Sequence, residues 1–120
     1  MSHHLLIIDD EMEVRELLDI AFTSAGYRVT TVGTLAEALH IVRTDPPRLV
    51  ITDLQLGESD GFDAVEQIKA AVPALPVIML TGVIMDPEEI PAAVREKIAC
   101  YIAKTTPLEG ILRQVKRFIV

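Results

Sequence analysis

Short apolar segments alternate with longer amphipathic segments along the whole chain. Five of the short segments are rich in valine, isoleucine and leucine and are bounded by turn or capping residues, which is typical of buried strands. They are residues 5–9 (LLIID), 28–32 (RVTTV), 48–52 (RLVIT), 76–80 (PVIML) and 100–103 (CYIA). The pattern therefore predicts five buried strands.

The segments between the first three strands have helical periodicity. The first contains apolar residues at spacings of three and four, and Gly26 follows where a helix can end in the left-handed conformation. The second begins with Thr34 as the predicted N-cap and Glu37 three residues later, which is a capping box, and residues 45–47 (DPP) end it. The apolar positions of the first helix are Val14, Leu17, Leu18, Ala21, Phe22 and Ala25.

Three further helices are predicted in the second half of the chain. The third contains Phe62, Val65 and Ile68 and ends at Val72-Pro73, and the fifth spans Leu108 to Ile119 with Pro107 in its first turn. The fourth lies between the last two strands. It is expected to start late and to be short, because prolines at 87 and 91 interrupt the segment.

Strands without clear polar alternation, separated by helices, indicate a parallel sheet with helices on both faces. The sequence therefore predicts a doubly wound α/β fold. The 120 residues are expected to form a single domain, with no output domain attached. In such sheets ligands bind outside the carboxyl ends of the strands.

Charge and cysteine content narrow the function classes. The chain has 18 acidic and 11 basic residues and a net charge of −7, which disfavours direct binding of nucleic acid or acidic membranes and favours a cation or a basic partner. Cys100 is the single cysteine, and no signal peptide or segment of membrane-spanning length is evident. A cytoplasmic location is therefore expected. His3 and His4 lie near the start of the chain with no further metal ligand evident, so a tag remnant or a strand edge is preferred over a metal site.

Polar residues occur at the ends of four predicted strands. The first strand leads into Asp9 and Asp10, the third into Asp53, the fourth into Thr81 and the fifth into Lys104. If these four strands are neighbours, three carboxylates meet in one crevice, where a pair about 4 Å apart at an effective dielectric of about 20 costs about 4 kcal/mol. Mg²⁺, which prefers carboxylate oxygens, together with Lys104 could compensate this repulsion.

Each of these residues also has an ordinary structural interpretation. Asp10 could cap the first helix with Glu13 three residues later, Asp53 could be a turn residue, Thr81 could bond to the backbone, and Lys104 could be a solvated charge. Taken singly, these interpretations are the better ones. Their joint placement at strand ends favours a functional site.

The same motifs, in the same order, resemble the receiver domain of two-component response regulators. They are IIDDE (residues 7–11), LVITDLQL (49–56) followed by Gly61, VIMLTG (77–82) and YIAK (101–104). The resemblance covers essentially the whole chain. It implies a flavodoxin-like strand order of 2-1-3-4-5.

The resemblance also implies roles for individual residues. Asp53 would accept a phosphoryl group from a phosphohistidine on a sensor histidine kinase or a phosphotransfer protein. Mg²⁺ would be held by Asp9, Asp10, Asp53 and the backbone carbonyl of Gln55. Such a domain catalyses only its own phosphorylation and dephosphorylation, so it is a signalling domain rather than an enzyme acting on other substrates.

Phosphorylation in this family acts as a conformational switch. The resemblance implies that Thr81 and Lys104 contact the phosphoryl group and that Thr81 and Tyr101 move together. This movement would bias the surface formed by the fourth helix, the fifth strand and the fifth helix. The implied partners of that surface are an effector domain, another protein or a second phosphorylated copy.

The chain departs from the family pattern in three places. Lys104 is followed by Thr105 where the family has proline, so a trans peptide bond is expected there. Gly57 replaces a common proline after the phosphoacceptor, and the prolines at 87 and 91 are expected to reshape the fourth helix. None of these changes removes a chemical group from the predicted site.

Two other functions are compatible with the sequence. One is a pseudo-receiver that acts only by docking a partner, against which the intact acidic, hydroxyl and lysine positions argue. The other is a Mg²⁺-dependent phosphohydrolase on a similar sheet. Haloacid-dehalogenase-like phosphatases place D-x-D after the first strand, and residues 9–11 (DDE) do not match that motif.

Overall fold

The computed structural model of the chain describes residues 3–53, 55–56, 59–82, 90 and 92–119. The strands in chain order are β1 (His4–Ile8), β2 (Arg28–Val32), β3 (Leu49–Thr52), β4 (Gln55–Leu56), β5 (Ser59–Asp60), β6 (Val77–Thr81) and β7 (Cys100–Ala103). The helices are α1 (Met12–Ser24), α2 (Leu35–Thr44), α3 (Gly61–Ala71), α4 (Ala92–Arg95) and α5 (Leu108–Lys116). None of the helices in these ranges is long and apolar enough to cross a membrane.

Five strands form one parallel sheet in the order β2-β1-β3-β6-β7. Numbered among themselves, these strands have the order 2-1-3-4-5, which confirms the predicted fold. The carboxyl ends of β1 and β3 are adjacent at the centre of the sheet, where strand order reverses. The crevice at this edge is the place where doubly wound folds bind ligands.

Residues of the central strands alternate between two hydrophobic cores because successive side chains point to opposite faces of a sheet. One core joins alternate strand residues to α2, α3 and α4, and the other joins the intervening residues to α1 and α5. The strand residues of the first core include Leu6, Ile8, Val50, Val77 and Met79. Those of the second include Leu5, Ile7, Leu49, Ile51, Ile78 and Leu80.

The prediction of five buried strands is correct for the central strands and wrong for the edges. In β2 only Val32 is buried, and in β7 only Ile102 is buried. Each of these strands has a neighbour on one side only, so helices and strands cover less of its surface. The sequence of β2 carries a sign of this difference, since Arg28, Thr30 and Thr31 are polar, whereas the sequence of β7 carries none as clear.

Helix α1 differs from its predicted form in two respects. Glu11, and not Asp10, is the N-cap residue, so Asp10 does not have the capping position proposed for it. Leu17 is 52% exposed although its spacing placed it on the apolar face, whereas Leu18 and Phe22 are fully buried. The buried stripe is therefore narrower than the sequence indicated.

The end of α1 matches the prediction for Gly26. This residue has a φ of +99°. Its N–H donates to the carbonyl of Thr23 at 3.0 Å, and the N–H of Tyr27 donates to the carbonyl of Phe22 at 3.1 Å. These two bonds form a Schellman motif, which satisfies carbonyls that the helix itself leaves without donors.

Thr34 is confirmed as the N-cap of α2, because its hydroxyl oxygen accepts from the N–H of Glu37 at 3.2 Å. The reciprocal contact differs from that of a capping box, since the Glu37 carboxylate accepts from the Thr34 hydroxyl at 3.0 Å and not from the Thr34 N–H. Helix α4 has four residues in the described ranges, and the segment 83–89, on which its predicted late start depends, lies outside them. In α5, Pro107 occupies the N-cap position rather than the first turn, and the helix ends at Lys116.

The sequence did not predict the small antiparallel hairpin formed by β4 and β5. Each of its strands has two residues. Two residues are too few to establish an alternating pattern. The hairpin joins β3 to α3 and contains Gln55.

Candidate functional site

The predicted site residues follow the carboxyl ends of adjacent strands. Main-chain hydrogen bonds fix these ends to one another. The N–H of Asp9 donates to the carbonyl of Val32 at 3.1 Å, that of Asp53 to Ile8 at 3.0 Å, and that of Lys104 to Thr81 at 2.8 Å. The strand ends therefore form a fixed frame from which the side chains extend.

The Lys104 ammonium lies among three carboxylates. Its Nζ is 3.0 Å from Oδ2 of Asp9, 3.0 Å from Oδ2 of Asp53 and 3.4 Å from Oε1 of Glu11. Asp9 and Asp53 are both buried, so a cation beside them is needed to compensate the cost of removing their charges from water. Lys104 provides that compensation.

Asp9, Asp10, Glu11 and Asp53 each place a carboxylate oxygen within 4.8 Å of the other three. Carboxylate oxygens gathered this closely are the kind of ligand set that would hold Mg²⁺. Asp10 and Glu11 are exposed, which leaves the crevice open to an ion and its water ligands. The residues present therefore fit the metal that the sequence predicts.

The pKa values of the central groups reflect their burial and their charges. Burial raises the pKa of Asp9, and the hydrogen bonds it receives from the Glu11 N–H and from Lys104 only partly oppose this effect. Burial by itself would lower the pKa of Lys104, but its hydrogen bonds to Asp53 and Asp9 outweigh burial and raise it. Both pKa values are therefore raised, but for different reasons: burial dominates for Asp9, whose side chain is 3% exposed, whereas contact with two buried carboxylates dominates for Lys104, whose side chain is 18% exposed.

Asp9 is held at several points besides its carboxylate contact with Lys104. Its Oδ1 accepts a hydrogen bond from the N–H of Glu11 at 2.9 Å. Its carbonyl oxygen accepts a hydrogen bond from Nη1 of Arg15 at 2.6 Å. These contacts link the carboxyl end of β1 to the first turns of α1.

The remaining predicted site residues lie near the same edge or on the outer strand. Thr81 is the last residue of β6 and pairs in register with Ala103, directly before Lys104. Tyr101 lies two residues earlier in β7 and is 37% exposed. Gln55 lies in β4, two residues past Asp53.

Of the three departures from the family pattern, only the one at Thr105 falls on residues that the structure describes. The Lys104–Thr105 peptide bond is trans, as expected, and no cis bond occurs in the described ranges. Gly57, Pro87 and Pro91 lie outside the residues that the structure describes.

Sequence reasoning missed Glu11 and Arg15 as members of the site. Glu11 belongs to the acidic run that was noted, but its approach to Lys104 depends on where α1 begins. Arg15 is four residues past Glu11, at the spacing that places two side chains on one side of a helix. That spacing is a weak signal, because it does not show what the side chain contacts.

The comparison with known protein families agrees with this geometry. Residues 5–116 match the family model described as "Response regulator receiver domain". The transcriptional regulatory protein GlrR of Escherichia coli (strain K12) is 32% identical over 118 residues, which are 96% of this chain and 26% of GlrR. The chain thus spans about a quarter of the length of this relative.

Solved structures with the same fold include small receiver proteins. The chemotaxis response regulator CheY4 of Vibrio cholerae superposes with a TM-score of 0.88 at 24% identity, covering 99% of this chain and 100% of CheY4. A response regulator receiver domain protein from Clostridium thermocellum gives 0.86 at 26% identity, covering 98% and 94% of the two chains. The family match over residues 5–116 establishes that the chain belongs to the response regulator receiver domain family.

Proposed function

We propose that the domain takes a phosphoryl group onto Asp53 from a phosphohistidine, with Mg²⁺ bound in the acidic crevice. The observation that carries the proposal is the Asp53 carboxylate, which is buried, lies 3.0 Å from the Lys104 ammonium, and has an oxygen within 4.8 Å of those of Asp9, Asp10 and Glu11. A nucleophile, a cation and a metal-binding group are thus in one place. Phosphoryl transfer requires these groups to be positioned together.

The proposed transfer is a single displacement at phosphorus. An oxygen of Asp53 attacks the phosphorus atom, a P–O bond forms, and the P–N bond to the donor imidazole breaks. The imidazole nitrogen leaves with the bonding electron pair and takes a proton from water. Later attack of water on the acyl phosphate releases inorganic phosphate and restores the carboxylate.

The groups around Asp53 have distinct proposed roles. Asp9, Asp10, Asp53 and the Gln55 carbonyl would hold Mg²⁺, which supplies positive charge to the phosphoryl oxygens when bound. Lys104 lies beside the attacking carboxylate, so its ammonium can turn from that oxygen to an oxygen of the transferred group. Thr81 ends the adjacent strand and would contribute a hydroxyl contact.

The proposed switch uses the surface of α4, β7 and α5. Thr81 and Ala103 are paired in register, so a shift of Thr81 toward a phosphoryl group would act directly on the outer strand. Tyr101 is half-exposed on that strand. Partial burial raises the pKa of its phenol, and the charge of Arg95 on α4 opposes this rise only in part. A change in the exposure of Tyr101 would alter the surface that a partner meets.

The phosphodonor must approach the carboxyl edge of the sheet, because that is where Asp53 lies. Helix α1 begins at this edge and presents three large exposed apolar side chains, those of Met12, Leu17 and Ile20. Exposed apolar groups of this size favour contact with another protein. They support a protein as the phosphodonor, and we propose that it is a sensor histidine kinase or a phosphotransfer protein and that the transfer takes place in the cytoplasm.

The second candidate function is a pseudo-receiver that docks a partner without being phosphorylated. The exposed apolar residues of α1 suit either function. The Asp53–Lys104 contact favours the receiver, because docking alone requires neither a buried carboxylate nor its cation.

The experiment is incubation of the domain with acetyl phosphate and Mg²⁺, followed by intact-mass spectrometry. We expect one phosphoryl group per chain on the wild type, labile at alkaline pH, and none on the Asp53→Asn variant. The amide has nearly the shape of the carboxylate but lacks its nucleophilic oxygen. Because it also removes one negative charge from a crowded cluster, the variant is expected to remain folded.

Thr81→Ala is the matched variant for the switch. It is expected to accept the phosphoryl group but to give smaller NMR shift changes around Tyr101 and α4 than the wild type, since it lacks the hydroxyl contact. Full phosphorylation of the Asp53→Asn variant would refute the acceptor assignment. Absence of phosphorylation on the wild type would favour the pseudo-receiver.

A further inference from the structure

We propose that Arg15 is a positioning residue for the acidic crevice, and that Gly33 leaves the space its guanidinium needs. The inference rests on the proposed Mg²⁺ site and adds two residues that do not touch the metal themselves. Arg15 would act through the main chain of Asp9, which carries one metal ligand and is bonded directly to the next, Asp10.

The contact is made by a charged donor on a main-chain acceptor. Nη1 of Arg15 lies 2.6 Å from the carbonyl oxygen of Asp9. The same peptide unit continues into Asp10, so its orientation influences where both carboxylates lie. The N–H of Asp9 is already bonded to the carbonyl of Val32, and its carboxylate is bonded to the Glu11 N–H and Lys104. Arg15 completes this set by fixing the carbonyl.

Gly33 lies in the loop between β2 and α2, close to the same guanidinium nitrogen that donates to the Asp9 carbonyl. A Cβ atom placed on Gly33 would lie 3.0 Å from Nη1 and 3.6 Å from Cζ of Arg15. The φ of Gly33 is not in the left-handed region, so its backbone does not require glycine. The close approach of Arg15 is therefore the reason that the structure offers for glycine at this position.

A positioning role and a purely electrostatic role of Arg15 predict opposite effects of its removal on Mg²⁺ binding. If Arg15 acted only as a positive charge near the carboxylates, its loss would strengthen Mg²⁺ binding, because one repelling cation would be gone. If it holds the Asp9 peptide in place, its loss weakens Mg²⁺ binding, because ligands held by outer contacts lose affinity when those contacts are removed. The sign of the change separates the two roles.

The test is calorimetric titration of the metal-free domain with MgCl₂. We expect Arg15→Met to weaken Mg²⁺ binding about tenfold, the lower end of the range for residues that orient ligands. The Mg²⁺ affinity of Arg15→Lys should lie between those of the wild type and Arg15→Met, because lysine keeps a charged donor on a shorter side chain. Arg28→Met is the matched control, since Arg28 pairs with Asp45 at the other end of the sheet and should leave Mg²⁺ affinity unchanged.

Gly33→Val provides an independent test that retains Arg15. Its side chain should displace the guanidinium and weaken Mg²⁺ binding, and the double variant with Arg15→Met should bind no more weakly than Arg15→Met alone. Urea unfolding without Mg²⁺ checks each variant, because a merely structural role would lower stability and leave the affinity of the folded protein unchanged. If Arg15→Met does not fold, Gly33→Val decides the result.

Each outcome has a defined meaning. Equal or tighter Mg²⁺ binding by folded Arg15→Met would overturn the inference while leaving the proposed function intact. Additive effects of the two substitutions would overturn the role of Gly33. A wild-type domain that binds no Mg²⁺ would overturn the proposed metal site, and the inference with it.

Discussion

Lys104 controls the charge balance of the crevice, because its ammonium is the cation that contacts both buried carboxylates, Asp9 and Asp53. Mg²⁺ would interact with the same oxygens. The lysine and the metal are therefore expected to compete in the unphosphorylated domain. During transfer both would stabilise the negative charge that develops on the phosphoryl oxygens.

Lys104→Met is expected to lower the free energy of unfolding of the metal-free domain by about 2 kcal/mol, because two buried carboxylates lose a charged hydrogen-bond donor. It should at the same time raise the affinity for Mg²⁺. Urea unfolding and calorimetric titration measure the two effects. Lys116→Met, at an exposed position of α5, is the control and should change neither quantity by much. Weaker Mg²⁺ binding by the Lys104 variant would contradict the competition.

At the residue scale the sequence predicted the groups at strand ends, because strand ends are readable from the pattern. It did not predict contacts that depend on side-chain direction. Arg15 is one example, and His4 is another. A strand edge or a tag remnant was preferred for His4 over a metal site, and the residue is indeed the first of β1, but its burial and the 2.7 Å contact of its Nε2 with the Thr30 hydroxyl were not predicted. The pairing of β1 with β2 brings these residues together, and neither sequence position reveals it.

The elements of this fold end where local chemistry stops them. Gly26 provides the clearest case, since a Cβ at this position would meet no atom within 4 Å and only the backbone conformation requires glycine. The cost of a side chain there is therefore conformational and not steric.

Gly26→Ala is expected to lower the free energy of unfolding by about 1 kcal/mol, the cost of placing an alanine in the left-handed region. Urea denaturation monitored by circular dichroism measures this difference. Gly82→Ala is the control: its Cβ would be 3.7 Å from the Lys104 side chain, and its φ is not left-handed. A smaller loss for Gly26→Ala than for Gly82→Ala would show that the Schellman motif contributes little.

Element boundaries were predictable where a capping residue or a proline marks them, as at Thr34, Gly26 and Pro73. The start of α1 was not, because Asp10 is the better capping residue by type, whereas Glu11 occupies the N-cap position without a side-chain capping bond. Only the position of the chain leaving β1 decides between them. That choice matters for function, because it leaves Asp10 among the four carboxylates of the crevice.

At the scale of the whole molecule, metal binding at one edge should stabilise the entire fold. A ligand that binds only the folded state adds about 2.7 kcal/mol at a concentration 100 times its Kd. We expect MgCl₂ to raise the melting temperature of the wild type in a concentration-dependent manner.

Asp10→Asn should remove most of this rise, because it deletes a proposed ligand at the open side of the crevice. Glu16→Gln, which removes one negative charge from the exposed surface of α1, is the control and should retain the effect. A metal-dependent rise that persists in Asp10→Asn would show that the proposed ligand set is wrong.

The doubly wound fold itself could be predicted from the alternation of apolar strands and amphipathic helices. The order of the strands could not, since several orders bury the same segments equally well. The order came from the family resemblance, and the structure confirms it. The locations of Asp9, Asp53 and Lys104 follow from that order, because it makes their strands neighbours.

The central sheet separates the interior so completely that Ile78 and Met79, adjacent in one strand, belong to different cores. A change in side-chain volume on one face can be offset by a residue on the same face, because packing contacts are short in range. Each core is therefore free to drift in sequence without reference to the other during evolution. Sequence changes in the two cores constrain each other only along the shared backbone of the strands and at the crevice where those strands end.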